Sequence, residues 1–176
     1  MFTQKLGKYI VTNPKQNLVV PEWGGSLSAE RSTRMMYLDS EVIPGAFYVE
    51  CVWFWPTEQK DTSSPEPHTH EWDEVIAFFG TDRSNLHDLG AEIELYIDGE
   101  QNLINETFLA FIPAGIVHCP LNILKITKPV FHFAVGQAPK FVVVPSAVGE
   151  ALGDFPQGRH LAPRQSHLGQ FPGRNG

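Results

Sequence analysis

The chain has 176 residues, 42% of them hydrophobic, with 13 basic against 20 acidic side chains and a net charge of -7, which suits one hydrophobic core and is short for two. The acidic balance supplies no basic stripe to neutralise phosphates, which excludes duplex nucleic acid and anionic membrane surfaces as expected partners. Cys51 and Cys119 are too few for a disulfide framework, the opening residues lack the apolar core of a signal peptide, and no apolar run approaches the ~20 residues of a membrane span, so a cytoplasmic protein with free thiols is expected.

Short apolar runs rich in β-branched and aromatic residues, separated by Gly, Pro, Asn and Asp clusters, predict an all-β sandwich or barrel. In chain order the expected strands are 9–12, 18–20, 34–38, 47–55, 73–79, 91–97, 101–104, 108–112, 118–123, 130–135 and 140–144. Alternating apolar residues from Ile93 to Ile97 run into Asp98-Gly99, a pair that tolerates positive φ at both positions and so predicts a type I′ hairpin. Two polar stretches, 56–67 with three prolines and 81–90, read as loops. Residues 145–176 are rich in Gly and Pro, and a helical turn at 146–152 followed by an irregular tail is expected there.

The chemistry-bearing segment is Pro67-His68-Thr69-His70-Glu71-Trp72-Asp73-Glu74. Alternate residues of an extended strand share a face, so His68 and His70 point the same way, and Glu74 has the same parity. Two neutral imidazoles and a carboxylate make a half-site for a divalent transition metal. Further on, the apolar strand ending at Ile112 runs into Pro113-Ala114-Gly115, a sharp turn, and His118 opens the next strand.

The spacing His-x-His-x3-Glu at 68, 70 and 74, followed by Pro-x-Gly-x2-His-x3-Asn at 113, 115, 118 and 122, resembles the two motifs of the cupin superfamily. The family pattern has a glycine where this chain has Thr62 and a Gly-Asp pair where it has Thr107-Phe108, departures that concern turns more than ligands. The resemblance implies a double-stranded β-helix, or jelly-roll barrel, with His68, His70, Glu74 and His118 as metal ligands. On that basis the chain divides into N-terminal strands packing on the barrel (1–44), the barrel itself (45–144) and the tail (145–176).

Other residues carry alternative readings. His132, in the apolar run Val-Phe-His-Phe-Ala-Val, is a core histidine or, if it faces inward, a catalytic general base. Trp53, Trp72, Phe78 and Tyr96 are the expected pocket lining, favouring a flat or apolar ligand. Glu71 and Asp73 have the opposite parity to the ligands and are expected on the solvated face. Asn122 is expected to steady the turn after the second motif.

Three imidazoles and one carboxylate leave a divalent ion with net charge near +1 and open to exogenous ligands. Iron or manganese is favoured, with nickel, copper and zinc also compatible. The resemblance leads to a metal-dependent enzyme acting on a small organic molecule, first an oxygenase, next a lyase or isomerase, with a non-catalytic ligand-binding role as the rival class. Pairing through sheet edges and faces, as small cupins do, implies a homodimer, with strands 9–20 as candidates for exchange between subunits.

Overall fold

The computed structural model describes residues 7–18, 30–58 and 65–145. Ten strands make up the regular structure of these residues, apart from one 3-10 turn at Gly7–Tyr9. They are β1 (Ser32–Leu38), β2 (Tyr48–Phe54), β3 (His68–Thr69), β4 (Glu74–Gly80), β5 (Asp88–Ile97), β6 (Glu100–Glu106), β7 (Phe108–Ile112), β8 (His118–Ile126), β9 (Val130–Gly136) and β10 (Val144–Pro145). Two five-stranded antiparallel sheets result, ordered β1-β2-β9-β4-β7 and β10-β3-β8-β5-β6. Strands distant in sequence are neighbours in both sheets, as a jelly roll requires.

Period-two alternation decides which side chains enter the barrel. On β2 the even residues Tyr48, Glu50, Val52 and Phe54 are buried and the odd ones only partly so. Register carries this parity across the sheet, because Val52 is opposite His132 and His132 is opposite Phe78. From the facing sheet, Leu89, Ile93, Ile123 and Ile126 close one apolar core over Val52, Phe54, Ile76, Phe78 and Val130. Each large aliphatic or aromatic side chain so enclosed stabilises the fold by roughly 1.5–3 kcal/mol. A second cluster, of Tyr37, Tyr48, Ala134 and Phe141 with Trp72 against it, sits at the other end of the barrel.

Most expected strands are present with shifted ends, and Asp98 (φ 51°) and Gly99 (φ 76°) turn the β5–β6 hairpin as their sequence predicts. Residues 10–12 are not a strand: Tyr9 and Ile10 are 58% and 59% exposed, so this apolar stretch has no sheet to join. Of the expected strand 18–20, Leu18 packs on the Tyr37–Tyr48 cluster and the rest lies outside the described residues, as does the expected turn at 146–152. The strand expected at 140–144 is confined to Val144–Pro145, because the Val142 carbonyl bonds a histidine side chain instead of a ladder. The expected loop 81–90 is shorter, since β5 begins at Asp88 with an irregularity before Ile93.

Candidate metal centre

Each candidate ligand arrives from a different piece of backbone. His68 lies on β3, where its Cα pairs with that of His118 at the start of β8. His70 follows β3, and Glu74 opens β4 after the chain bends through residues 71 and 72. The bend is tied down from both sides: the Asp73 carboxylate accepts from the Ala114 amide at 2.9 Å, and the His70 carbonyl accepts from the Gly115 amide at 2.8 Å. These bonds lock the Pro113–Gly115 turn onto the first motif and so bring His118 beside the other histidines. Asp73 is exposed, as expected, and also links the two motifs.

One donor nitrogen from each of His68, His70 and His118 lies within 4.8 Å of the others, and all three residues are buried. The Glu74 Oε2 atom is 3.1 Å from His118 Nε2 and 3.5 Å from His70 Nε2. The outward nitrogens fix the tautomers. His68 Nδ1 faces the Glu66 carbonyl at 2.7 Å, His70 Nδ1 the Val142 carbonyl at 2.7 Å and His118 Nδ1 the Ile116 carbonyl at 3.1 Å. A carbonyl only accepts, so Nδ1 carries the proton in each ring and a neutral ring presents its Nε2 lone pair inward.

The inward side then consists of acceptors facing acceptors. His70 Nε2 and His118 Nε2 are buried without a hydrogen-bond partner, although both are within ion-pair distance of Glu74. Burial pushes the Glu74 carboxyl up, and only an N–H or positive charge turned toward it by His118 or His70 outweighs that and holds the group at about 2. Burial lowers His68 to about 4, keeping its imidazole neutral at physiological pH. Converging lone pairs and a carboxylate are mutually repulsive unless a proton or a metal cation lies among them, and the donor set suits a first-row divalent ion.

Aromatic rings wall the site. Trp72 stacks on His70 with centroids 4.0 Å apart and planes 15° from parallel, while Phe141 sets its ring across both His70 and His68. Behind Trp72 runs Gly136, where a Cβ would sit 1.8 Å from the indole Cζ3. Tyr48 packs on Trp72 and Phe141 from the barrel side.

Two charged residues that the sequence analysis passed over also face this interior. Glu50 is 4% exposed, accepts from the Tyr48 hydroxyl at 3.4 Å and lies 3.6 Å from the Arg34 guanidinium. Burial pushes Glu50 up to about 7, against the lowering effect of Arg34. The signal was available, since Glu50 is a lone charge at an inward position of an apolar strand.

The remaining expected residues fall elsewhere. Trp53 has the parity of the outer face, stacked against Trp55 and Phe131 and turned away from the histidines. Tyr96 likewise alternates outward on β5, opposite Gln101. Phe78 points inward but is core, layered with Phe54, Phe108 and His132. His132 faces inward with Nδ1 on the Ala77 carbonyl at 2.9 Å, and burial lowers it to about 4. It lies four residues along β9 from Gly136, which is level with Glu74, a rise of about 13 Å at ~3.3 Å per residue. That separation sets it deeper along the barrel than the donors, still within electrostatic reach of Glu74. Asn122 does not steady a turn: it reaches out to Glu94 Oε2 at 2.7 Å on the outer surface. Cys119, beside His118, is buried, and burial pushes its thiol up.

Two facing antiparallel sheets, crossed in this order, with the histidines of both motifs meeting at one end, decide the fold class. The fold is a two-sheet antiparallel jelly roll. Solved cupin-superfamily proteins are similar to it, at low identity. An oxalate oxidase is 15% identical over 66% of this chain and 56% of its own, with a TM-score of 0.42. An RmlC-like cupin from Shewanella frigidimarina is 13% identical over 70% of this chain and 86% of its own, TM-score 0.38. A sugar phosphate isomerase from a cupin superfamily, from Silicibacter pomeroyi, is 19% identical over 61% of this chain and 60% of its own, TM-score 0.40. The chain thus spans little more than half the length of the oxalate oxidase it matches. No protein-family model and no curated protein matches the chain. No helix among the described residues is long and apolar enough to cross a membrane.

Proposed function

We propose that this protein is a cupin and a metal-dependent enzyme acting on a small organic molecule, holding one divalent transition metal between His68, His70, Glu74 and His118. The observation that carries the reading is the pair of buried, unpartnered Nε2 atoms of His70 and His118 turned toward the Glu74 carboxylate. When bound, such a metal supplies a Lewis acid and, as iron or manganese, a redox centre, which favours oxygenase chemistry over lyase or isomerase chemistry.

The protein side of the reaction follows from the residues around the donors. Carbonyls at Glu66, Val142 and Ile116 hold the three imidazoles in the tautomer a cation needs. Trp72 and Phe141 offer flat apolar walls for an unsaturated or aromatic substrate and exclude water from one side. Glu50, raised to about 7 with Arg34 beside it, can exchange a proton near neutral pH, a task the sequence reading had given to His132. The reading includes a cytoplasmic setting, in which Cys51 and Cys119 stay reduced, and assembly as a homodimer. Residues 45–144 would carry the reaction, with 1–44 and 145–176 as additions to it.

The test is elemental analysis of purified protein and of a His70→Ala, His118→Ala double variant, followed by oxygen uptake against phenols, diketones and 2-oxo acids. About one equivalent of iron or manganese in the wild type and none in the variant is expected. Failure of the wild type to retain any transition metal after reconstitution sinks the enzyme reading. Retention of iron without oxygen uptake transfers the reading to a lyase or isomerase.

A further inference from the structure

A two-sheet sandwich with both outer faces in water should alternate apolar-in and polar-out on every strand. The sheet containing β5, β6 and β8 follows this rule apart from Tyr96 and Leu103. Its outward positions hold Glu92, Glu94, Gln101, Asn122 and Lys125, and Glu94 accepts from Gln101 at 2.5 Å and from Asn122 at 2.7 Å. The opposite sheet breaks it. At the outward positions of β1, β2, β9, β4 and β7 there is no charged residue at all.

Register shows that this face is continuous. Ala77 is flanked by Leu109 on one side and Phe133 on the other, and Val75 by Phe111 and Val135. Phe79 stacks on Phe133 at 5.9 Å, and Trp53 packs on Phe131 at 5.2 Å. Leu109 and Phe111, on the edge strand β7, are 65% and 62% exposed. A strand buried on both faces reads as an uninterrupted apolar run, and Val75-Ile76-Ala77-Phe78-Phe79 is such a run.

We propose that the outer face of the β1-β2-β9-β4-β7 sheet is the contact between two copies of this chain, joined about a two-fold axis. The placement rests on the homodimer in the functional reading above and adds the surface. Charge argues for a second copy here: each chain carries -7, so two copies repel wherever their acidic surfaces meet, and this face is free of charge. Area agrees. Five strands ~4.8 Å apart and about six residues long at ~3.3 Å each give of order 500 Å² in plan. Self-pairing therefore covers about 1,000 Å² in total, the threshold for a specific interface, before side-chain relief is counted.

Sedimentation velocity on the full chain at 5–100 µM tests the proposal, with Phe111→Glu and Leu109→Lys separately and combined. Leu103→Lys is the control, an equally exposed residue on the outer face of the other sheet. The wild type and the control should sediment at twice the 19.7 kDa chain mass, and each β7 variant should raise the dimer dissociation constant at least tenfold at unchanged far-ultraviolet circular dichroism. A monomeric wild type overturns both the homodimer and this face. A dimer that survives the double substitution leaves the homodimer standing and overturns the face. Hydrogen exchange on the unaltered protein gives an independent answer: amides of β7 and β4 should exchange more slowly as concentration rises, and concentration-independent exchange there overturns the face.

Discussion

Trp72 lies flat on His70, ring on ring at 4.0 Å, and it can do so because Gly136 offers no side chain beneath it. The indole fills the space of a missing Cβ and in doing so fixes the orientation of a candidate ligand. His70 is then held at three points, by the Val142 carbonyl on Nδ1, by Trp72 on its face and by Phe141 across its edge. Gly136→Ala should therefore act on the metal centre although position 136 supplies no donor. Its Cβ would sit 1.8 Å from Cζ3, so the ring must leave. We expect metal affinity to fall by about 10–100-fold, as for loss of other groups that orient a ligand, together with roughly 1–3 kcal/mol of overpacking cost. Competition against a chromophoric chelator measures the first, and chemical denaturation the second. Unchanged affinity would mean that the stack is packing alone.

The same stack gives a spectroscopic signature. The three tryptophans among the described residues differ in position: Trp72 touches a candidate ligand, whereas Trp53 and Trp55 stack on each other on the outer face. Titrating copper(II) into metal-free protein should quench fluorescence mainly at Trp72. Trp72→Phe should remove most of that quenching and Trp53→Phe little of it. Equal loss in both variants would place the metal elsewhere than among His68, His70 and His118.

The donor set was legible because it depends on spacing along short local segments. His68 and His70 are two apart, Glu74 shares their parity, and the Pro113–Gly115 turn delivers His118. The Asp98-Gly99 hairpin was legible for the same reason, being set by the φ preferences of two adjacent residues. Choosing the pocket wall needed tertiary information. Trp53 sits on a strand whose two faces are both rich in apolar or aromatic residues, so composition could not say which face was inside, whereas Tyr96 shares the parity of Glu92 and Glu94 and points outward with them. His132 was placed on the correct face, but its depth along β9 depends on pairing with β2 and β4, which the sequence does not display. The strand expected at 140–144 shrinks to Val144–Pro145 because Phe141-Val142-Val143 has strand composition while one carbonyl there is claimed by a histidine ring.

Metal removal should cost stability. A ligand that binds the folded chain and not the unfolded one stabilises it by about 2.7 kcal/mol at a hundred times its dissociation constant. Removing it restores the juxtaposed acceptors of His70, His118 and Glu74. Chelation should lower the melting temperature by roughly 5–10 °C for a domain of this size, and added manganese or iron(II) should reverse it. The His70→Ala, His118→Ala variant should show neither change. A wild-type melting temperature indifferent to chelator, in protein shown to hold metal beforehand, would contradict a site that depends on the ion.

Glu50 makes a pH dependence of opposite sign to an ordinary carboxylate. Its folded value of about 7 stands above the unfolded 4.5, so the folded chain retains a proton that the unfolded chain releases as pH rises between them. Stability from this group is complete below pH 4.5 and declines through pH 7, by about 3 kcal/mol at ~1.36 kcal/mol per unit. Besides burial, the groups that set the value are Tyr48 on its own strand, Arg34 on the adjacent β1 and Glu74 on β4. Glu74, held at about 2, works in the other direction: its contribution is present above pH 4.5 and is lost as pH falls toward 2. The two windows do not overlap, so they can be separated in metal-free protein. Glu50→Gln should flatten the decline in denaturation free energy between pH 5 and 7 while leaving the loss below pH 4 in place. If the substituted protein keeps the wild-type slope between pH 5 and 7, Glu50 is already ionised in the fold and cannot serve as the proton carrier beside the metal centre.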